Sequence, residues 1–304
     1  MIDELSRRQF IAALAGLSAF QQLRFSAFAP MTMSSSRRKT VVRTGDVATE
    51  LAAYEARIIA AGGTIAAASL AAVGDFIQFA KANGFWDKLV DVGPFAGNQL
   101  AAALVKLKYP TGVQTGLTNV NFISGDYTEA TGLNPNGTTK YLKTGATIQD
   151  HIGSAYGTLA VYARAAAPTD ALRTALGEHT VYLASFTDSP VFAFDWNTAE
   201  TLLQPYELMT QAGAAGFYAG SVEQPEQILR AYYNGSLAGT GSTAGASNDQ
   251  EVYVFAGNNG SGTPERFWTG RLSFYALATW LTAAEHAALY TAVQALQTAL
   301  GRNV

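Results

Sequence analysis

The chain of 304 residues has no cysteine, which excludes a disulfide scaffold, a thiolate zinc site and a cysteine nucleophile together. Charge is also scarce, with Asp, Glu, Lys and Arg making up 14% of the residues where soluble domains carry about 25%. Collagen, a coiled coil and a charged tail are thereby ruled out. With 48% hydrophobic residues and 29 glycines, the composition is that of a turn-rich globular protein. Apolar runs are short as well. The best of them, residues 11–23, is closed by Arg24 before it reaches the roughly 18 residues of a membrane span, so a multispanning membrane protein is excluded.

Catalytic signatures are equally sparse. There is no G-x-S-x-G elbow, no G-x-x-x-x-G-K-S/T phosphate loop and no H-E-x-x-H helix. The segment from Gly239 to Ala244 matches G-x-G-x-x-A, but no helix follows and it reads as a flexible loop. His151, His179 and His286 are the three histidines and lie far apart in the chain. An E-x-D-x-E strand, which would set alternate carboxylates on one face for glycan hydrolysis, is missing. Asp195, Glu200 and Glu207 are wrongly spaced for it and Glu251 stands alone. The expectation is a protein that is not an enzyme. A D-x-D/N-x-D/N-G calcium loop is missing too, although Asp188, Asp195, Asn197, Asn258 and Asn259 are oxygen donors that calcium could use if the fold gathers them. No other cofactor is expected.

What charge there is falls unevenly. Residues 1–43 hold seven basic and two acidic residues, so the net −3 leaves −8 on the remainder. An acidic body without a basic stripe is a poor match to a phosphate backbone, and no nucleic-acid partner is expected. Ser6-Arg7-Arg8-Gln9-Phe10-Ile11 followed by apolar residues 12–20 has the pattern of a twin-arginine export signal over residues 1–29, with residues 30–45 as a serine-rich linker. Export to the periplasm or beyond is the expectation. The alternative is translation from Met31 or Met33, which would leave a virion or cytoplasmic protein.

Residues 46–110 read as a helical segment. Leu51, Tyr54, Ile58 and Ala61 recur at helical spacing up to Gly62-Gly63, and Leu70, Val73, Phe76, Ile77 and Ala80 do so up to Asn83-Gly84. Residues 95–105 are a third, short helical or mixed candidate. Such narrow, alanine-rich stripes bury too little area to stand alone, so the segment is expected to pack on the C-terminal remainder of the chain, as a cap or a homo-oligomer contact.

Residues 111–304 change texture. Nine short β-rich runs, at 119–124, 139–143, 158–164, 180–186, 191–196, 216–221, 228–234, 251–256 and 268–277, are separated by turn signals that include Asn136-Gly137, Asn234-Gly235 and Asn259-Gly260. The fold class this spacing predicts is mainly β, a two-sheet antiparallel sandwich. Within the last run, Leu272, Phe274 and Ala276 alternate with Arg271, Ser273 and Tyr275, the pattern of a strand with one wet face. A C-terminal helix comes next, with Thr282 and Glu285 as a capping box and Leu289, Val293, Leu296 and Leu300 as its buried stripe.

Flat rings beside hydrogen-bonding side chains suit sugars, a ring for the apolar sugar face and amides or carboxylates for its hydroxyls. Phe194-Asp195-Trp196-Asn197, Tyr232-Tyr233-Asn234, Asn258-Asn259 and Phe267-Trp268 supply that pairing. The candidate contacts are Asp195, Trp196, Asn197, Tyr232, Tyr233, Asn258, Asn259 and Trp268.

The runs Gly216-Phe-Tyr-Ala-Gly-Ser221, Leu229-Arg-Ala-Tyr-Tyr-Asn-Gly235, Val252-Tyr-Val-Phe-Ala-Gly257 and Thr269-Gly-Arg-Leu-Ser-Phe274, leading into Leu281-Thr-Ala-Ala-Glu285, resemble the concanavalin A-like (laminin G-like) jelly-roll superfamily. Tyr54 to Gly63, Phe85 to Gly97 and Leu289 to Arg302 are similar to modules of bacteriophage structural proteins and bacterial surface proteins. The resemblance implies a jelly roll and a lectin-like module with a glycan or polysaccharide partner. Its alternative is a structural or assembly protein of a phage tail or cell surface, and a glycan hydrolase or lyase comes third.

Overall fold

The computed structural model describes residues 44–153, 156–165, 172–186, 189–196, 207–212, 214–223, 228–242 and 250–304. The export signal and most of the linker expected at the N-terminus lie outside these residues. Two helices open the described chain, α1 (Thr44–Ala60) and α2 (Ala67–Ala82), and a strand, β1 (Leu89–Gly93), follows them before the short α3 (Leu100–Ala103). The sandwich strands then run β2 (Thr118–Val120), β3 (Tyr127–Thr128), β4 (Gly132–Leu133) and β5 (Tyr141–Thr147). After α4 (Ile148–His151) come β6 (Gly157–Ala163), β7 (Arg173–Gly177), β8 (Val181–Phe186), β9 (Ser189–Trp196), β10 (Glu207–Ala212), β11 (Gly216–Glu223), β12 (Ile228–Tyr233) and β13 (Ser236–Ser242). The chain ends with β14 (Glu251–Val254), β15 (Gly257–Asn258), β16 (Pro264–Glu265), β17 (Leu272–Ala278) and α5 (Ala283–Ala299).

Two large antiparallel sheets result, as the spacing of the β-rich runs predicts, and β15 and β16 pair separately as a two-stranded sheet. One large sheet has the order β13-β12-β11-β6-β17-β4-β3 with β1 added to β17, and the other β10-β9-β8-β7-β14-β5-β2. Their facing side chains, among them Leu159, Val161, Leu176, Leu183, Phe194, Tyr218, Val254 and Leu277, make the core of the sandwich. Period-two alternation sends Ala160, Tyr162, Phe217, Ala219, Phe274 and Ala276 to the opposite face of the first sheet, where Tyr54, Val73, Phe76, Ile77, Leu289, Val293 and Leu296 of the three long helices cover them. The structure is therefore three layers deep on this side.

That third layer corrects the reading of the last strand. Every residue of β17 is buried, because one of its faces meets the second sheet and the other meets α2 and α5. A register shift between Leu272 and Phe274 also moves Leu272 to the core side with Tyr275 and Leu277, so the alternation expected from sequence breaks at the bulge. Two more expectations change. Leu89–Gly93 inside the helical segment is a strand that pairs with β17, and Gly239 to Gly241 belong to β13, held by backbone bonds to β12 rather than forming a loop. Asn234 and Gly235, at φ of 47° and 75°, form the tight turn that makes this pairing possible.

The C-terminal helix is as expected. Thr282 Oγ1 accepts from the Glu285 amide at 3.3 Å while Glu285 accepts from the Thr282 amide at 2.8 Å, and Leu289 and Val293 are fully buried. Lys88 Nζ donates to the same Glu285 at 2.7 Å; the capping bonds and this cation hold the Glu285 carboxyl below its usual range against the opposing effect of burial.

Candidate functional site

Three of the residues picked from sequence, Trp268, Tyr232 and Asn258, are buried. Trp268 is 0% exposed and Tyr232 1%, the latter because α5 lays His286 on its ring, with centroids 3.9 Å apart and planes at 17°. Asn258 is also buried; its Nδ2 donates to the Glu251 carbonyl and its Oδ1 accepts from the Gly262 amide, so its polar atoms close the β15–β16 hairpin. None of these three presents a face to a ligand. Each is taken up by a different part of the structure: Trp268 by the core between the sheets, Tyr232 by the layer under α5, and Asn258 by the β15–β16 hairpin.

Asn259 is partly exposed, but its Oδ1 is taken up by the backbone of Ser261 and Thr263 and by the Ser261 hydroxyl. Tyr233 is half-buried, donates its hydroxyl to the Ala215 carbonyl and rims a shallow hollow of about 300 Å³ with Asn234, Ser236, Leu237 and Ala238. Asp195 and Trp196 lie on β9, opposite Tyr182 and Val181 of β8. Asn197 lies outside the described residues, as does Asp188. Among the described residues, no three His, Asp or Glu side chains gather as a metal-ligand set.

A different place is open and polar. Across the free edge of the second sheet, Thr118 of β2, Lys143 of β5 and Tyr253 of β14 stand in one row of the ladder. Beside them the ladder is irregular, for Glu251 pairs with Thr147 and Tyr253 with Lys143, which leaves β5 with residues to spare between the pairs. Gly145 absorbs the bulge at φ 74°, a conformation that costs a residue with a Cβ. The Thr144 hydroxyl stabilises it by donating to the Val252 carbonyl at 2.8 Å and accepting from the Ala146 amide at 3.1 Å. Glu251 caps it by accepting from the Gly145 amide at 2.6 Å.

The bulge and the loop before β2 enclose a cleft of about 250 Å³ whose lining includes Gln114, Thr118, Lys143, Thr144 and Glu251, with Gly112, Gly116 and Gly145 leaving the backbone accessible. Lys143 Nζ lies 5.5 Å from the Tyr253 ring centroid, and Tyr141 packs against Tyr253 at 5.0 Å. Burial pushes the Tyr253 phenol up to about 12, so at neutral pH its hydroxyl is a donor, given to the Gly262 carbonyl at 3.0 Å. The cleft thus offers a cation, a carboxylate, an amide and a hydroxyl within one small concavity, the donor and acceptor mixture that a polyhydroxylated ligand requires. Of these residues sequence reasoning singled out only Glu251, and only as an isolated carboxylate. Lys143, Thr118 and Gln114 carry no motif, and the signal that could have marked them is a glycine inside a strand run, Gly145, which often denotes a bulge.

No protein-family model matches this sequence, and no curated protein matches it either. Solved structures similar to it include a CBM40 module of Ruminococcus gnavus IT-sialidase bound to alpha2,3 sialyllactose, at 13% identity over 44% of this chain and 81% of that one, with a TM-score of 0.35. Another is a Trypanosoma rangeli sialidase, at 14% identity over 67% of this chain and 32% of that one, with a TM-score of 0.45. A third is the heptameric SAP-like pentraxin of Limulus polyphemus, at 13% identity over 44% and 69% of the two chains, with a TM-score of 0.35. The class that the architecture itself defines is an antiparallel β-sandwich with helices layered on one sheet. No helix among the described residues is long and apolar enough to cross a membrane.

Proposed function

We propose that the protein is a lectin-like, non-catalytic module that binds a glycan or polysaccharide in the cleft at the edge of the second sheet. The observation that carries this reading is the gathering of Gln114, Thr118, Lys143 and Glu251 around a concavity of about 250 Å³, a size suited to one or two sugar hydroxyl clusters rather than to a whole chain. Catalysis is not part of the reading, because most glycan hydrolases use two carboxyl groups about 5–9.5 Å apart and, among the described residues, Glu251 is the one carboxylate that lines this cleft.

A broad glycan and polysaccharide panel, probed with the full chain in calcium and again in chelator, tests it. Specific binding is expected, reduced about tenfold in Lys143→Ala, the equivalent of about 1.4 kcal/mol, with no release of reducing sugar. Binding that Lys143→Ala leaves unchanged removes the cleft from the reading. A well-folded protein that binds nothing on the panel returns the chain to the structural or assembly role of a phage tail or cell surface, and sugar release would return it to the hydrolases.

A further inference from the structure

Behind the cleft lies a buried charge cluster that glycan binding does not use. Asp91 of β1, Lys106 after α3 and Tyr275 of β17 are each 0% exposed. Lys106 Nζ is 2.7 Å from Asp91 Oδ2 and also donates to the Thr144 carbonyl, while the Tyr275 hydroxyl donates to Asp91 Oδ1 at 2.6 Å. The backbone fixes these positions. The amide of Leu107 bonds the Val92 carbonyl and the amide of Val92 bonds the Lys108 carbonyl, so the segments carrying the two charges cannot separate. Tyr275 reaches Asp91 across Gly93, where an added Cβ would lie 2.1 Å from its ring.

An ion pair in so dry a place is costly, because desolvation of the two charges can exceed what their attraction returns. Burial accordingly pushes the Asp91 carboxyl up, the neighbouring Lys106 cation opposing it only in part. Condensation of the two groups into an amide would remove both charges from this dry place. The 2.7 Å hydrogen bond to Oδ2 holds Nζ beside the carboxyl group, and reactants held together in this way gain from proximity.

We propose that Lys106 and Asp91 join in an intramolecular isopeptide bond. In that step a proton passes from Nζ to Oδ2, Nζ attacks Cγ, the Nζ–Cγ bond forms and the Cγ–Oδ2 bond breaks. Oδ2 leaves as water, carrying the acid proton and one amine proton. The Tyr275 hydroxyl holds Oδ1 as negative charge develops on it, as a donor aimed at a developing oxyanion does. The resulting amide keeps its N–H on the Thr144 carbonyl and its oxygen on Tyr275, so each polar atom remains bonded and the buried charges are gone. No oxidant or other reactant is needed.

Trypsin digestion of the denatured full-length protein, followed by mass spectrometry, decides it. The expected product is the fragment of residues 89–108, uncut at Lys106 and about 18 Da lighter than its sequence mass, the loss of one water. In Asp91→Asn the same amide forms with loss of ammonia, so its fragment reaches the same final mass as the wild type. In Lys106→Arg no deficit is expected; one that persisted would reveal a cyclic imide at Asp91 and overturn the proposal. A wild-type chain cut at Lys106, with its fragments at full mass, would also overturn it.

Discussion

Single side chains hold this fold at two buried nodes, and the clearer of them is Arg302. Its guanidinium is 0% exposed and donates to Gln297 Oε1, to the carbonyls of Pro94, Phe95 and Glu129, and to the Ser273 carbonyl. Truncation to Ala would remove this donor from the Pro94, Glu129 and Ser273 carbonyls, while the Phe95 carbonyl keeps Tyr127 and Gln297 Oε1 keeps Ser273, and a loss of about 3 kcal/mol is expected from urea unfolding; a midpoint within experimental error of wild type would contradict it. His286 offers a test by pH. Burial lowers its imidazole to about 3, from 6.5 in the unfolded chain, so between these values the unfolded state binds the proton that the folded state refuses. Stability attributable to this residue is thus complete above pH 6.5 and falls as pH is lowered. Between pH 6.5 and 5 the loss amounts to about 2 kcal/mol, and His286→Phe is expected to flatten this part of the melting-temperature profile. Neither residue was conspicuous in the sequence. Arg302 lies in an ordinary-looking C-terminal tail, and its acceptors are backbone carbonyls that only the folded chain brings together. The misreading of Trp268 and Tyr232 has the same origin, since a ring beside a polar residue reads alike whether it faces sugar or core.

At the scale of elements, periodicity carried most of the information. All nine β-rich runs contain strands, α2 buries Val73, Phe76, Ile77 and Ala80 as its stripe demands, and α5 carries its capping box. The nine runs leave out β3, β4, β7, β10, β15 and β16, as well as two strands whose pattern is set by a partner. β1 sits among helices and is defined by β17, while β13, with its glycines, is defined by the hairpin to β12. The wet face expected for β17 failed because sequence shows alternation without showing what lies beyond it, here a helical layer. Val293→Asp on α5 would place a charge where exposure is 0%, with no partner, and about 4 kcal/mol should be lost in thermal melting. An unchanged midpoint would detach this helix from the core. Thr282→Ala, which removes one half of the cap, should cost about 1 kcal/mol in the same assay.

For the whole molecule, function depends on which surfaces the layers leave open. Helices take the outer face of the first sheet, the two sheets take each other, and the edge of the second sheet retains a polar cleft shaped by the bulge at Gly145. The sandwich itself was legible from composition and turn spacing, but the cleft was not, because its side chains come from β2, β5, β14 and the loop before β2 and meet only through sheet register. The central claim, that this cleft is where a glycan binds, is tested most directly by titrating the strongest panel glycan into the wild-type protein and into Thr118→Trp. The indole would fill the cleft from the exposed edge strand without entering the core. Loss of binding in a variant that melts like the wild type is the expected result, and equal affinity of the two proteins would contradict the claim.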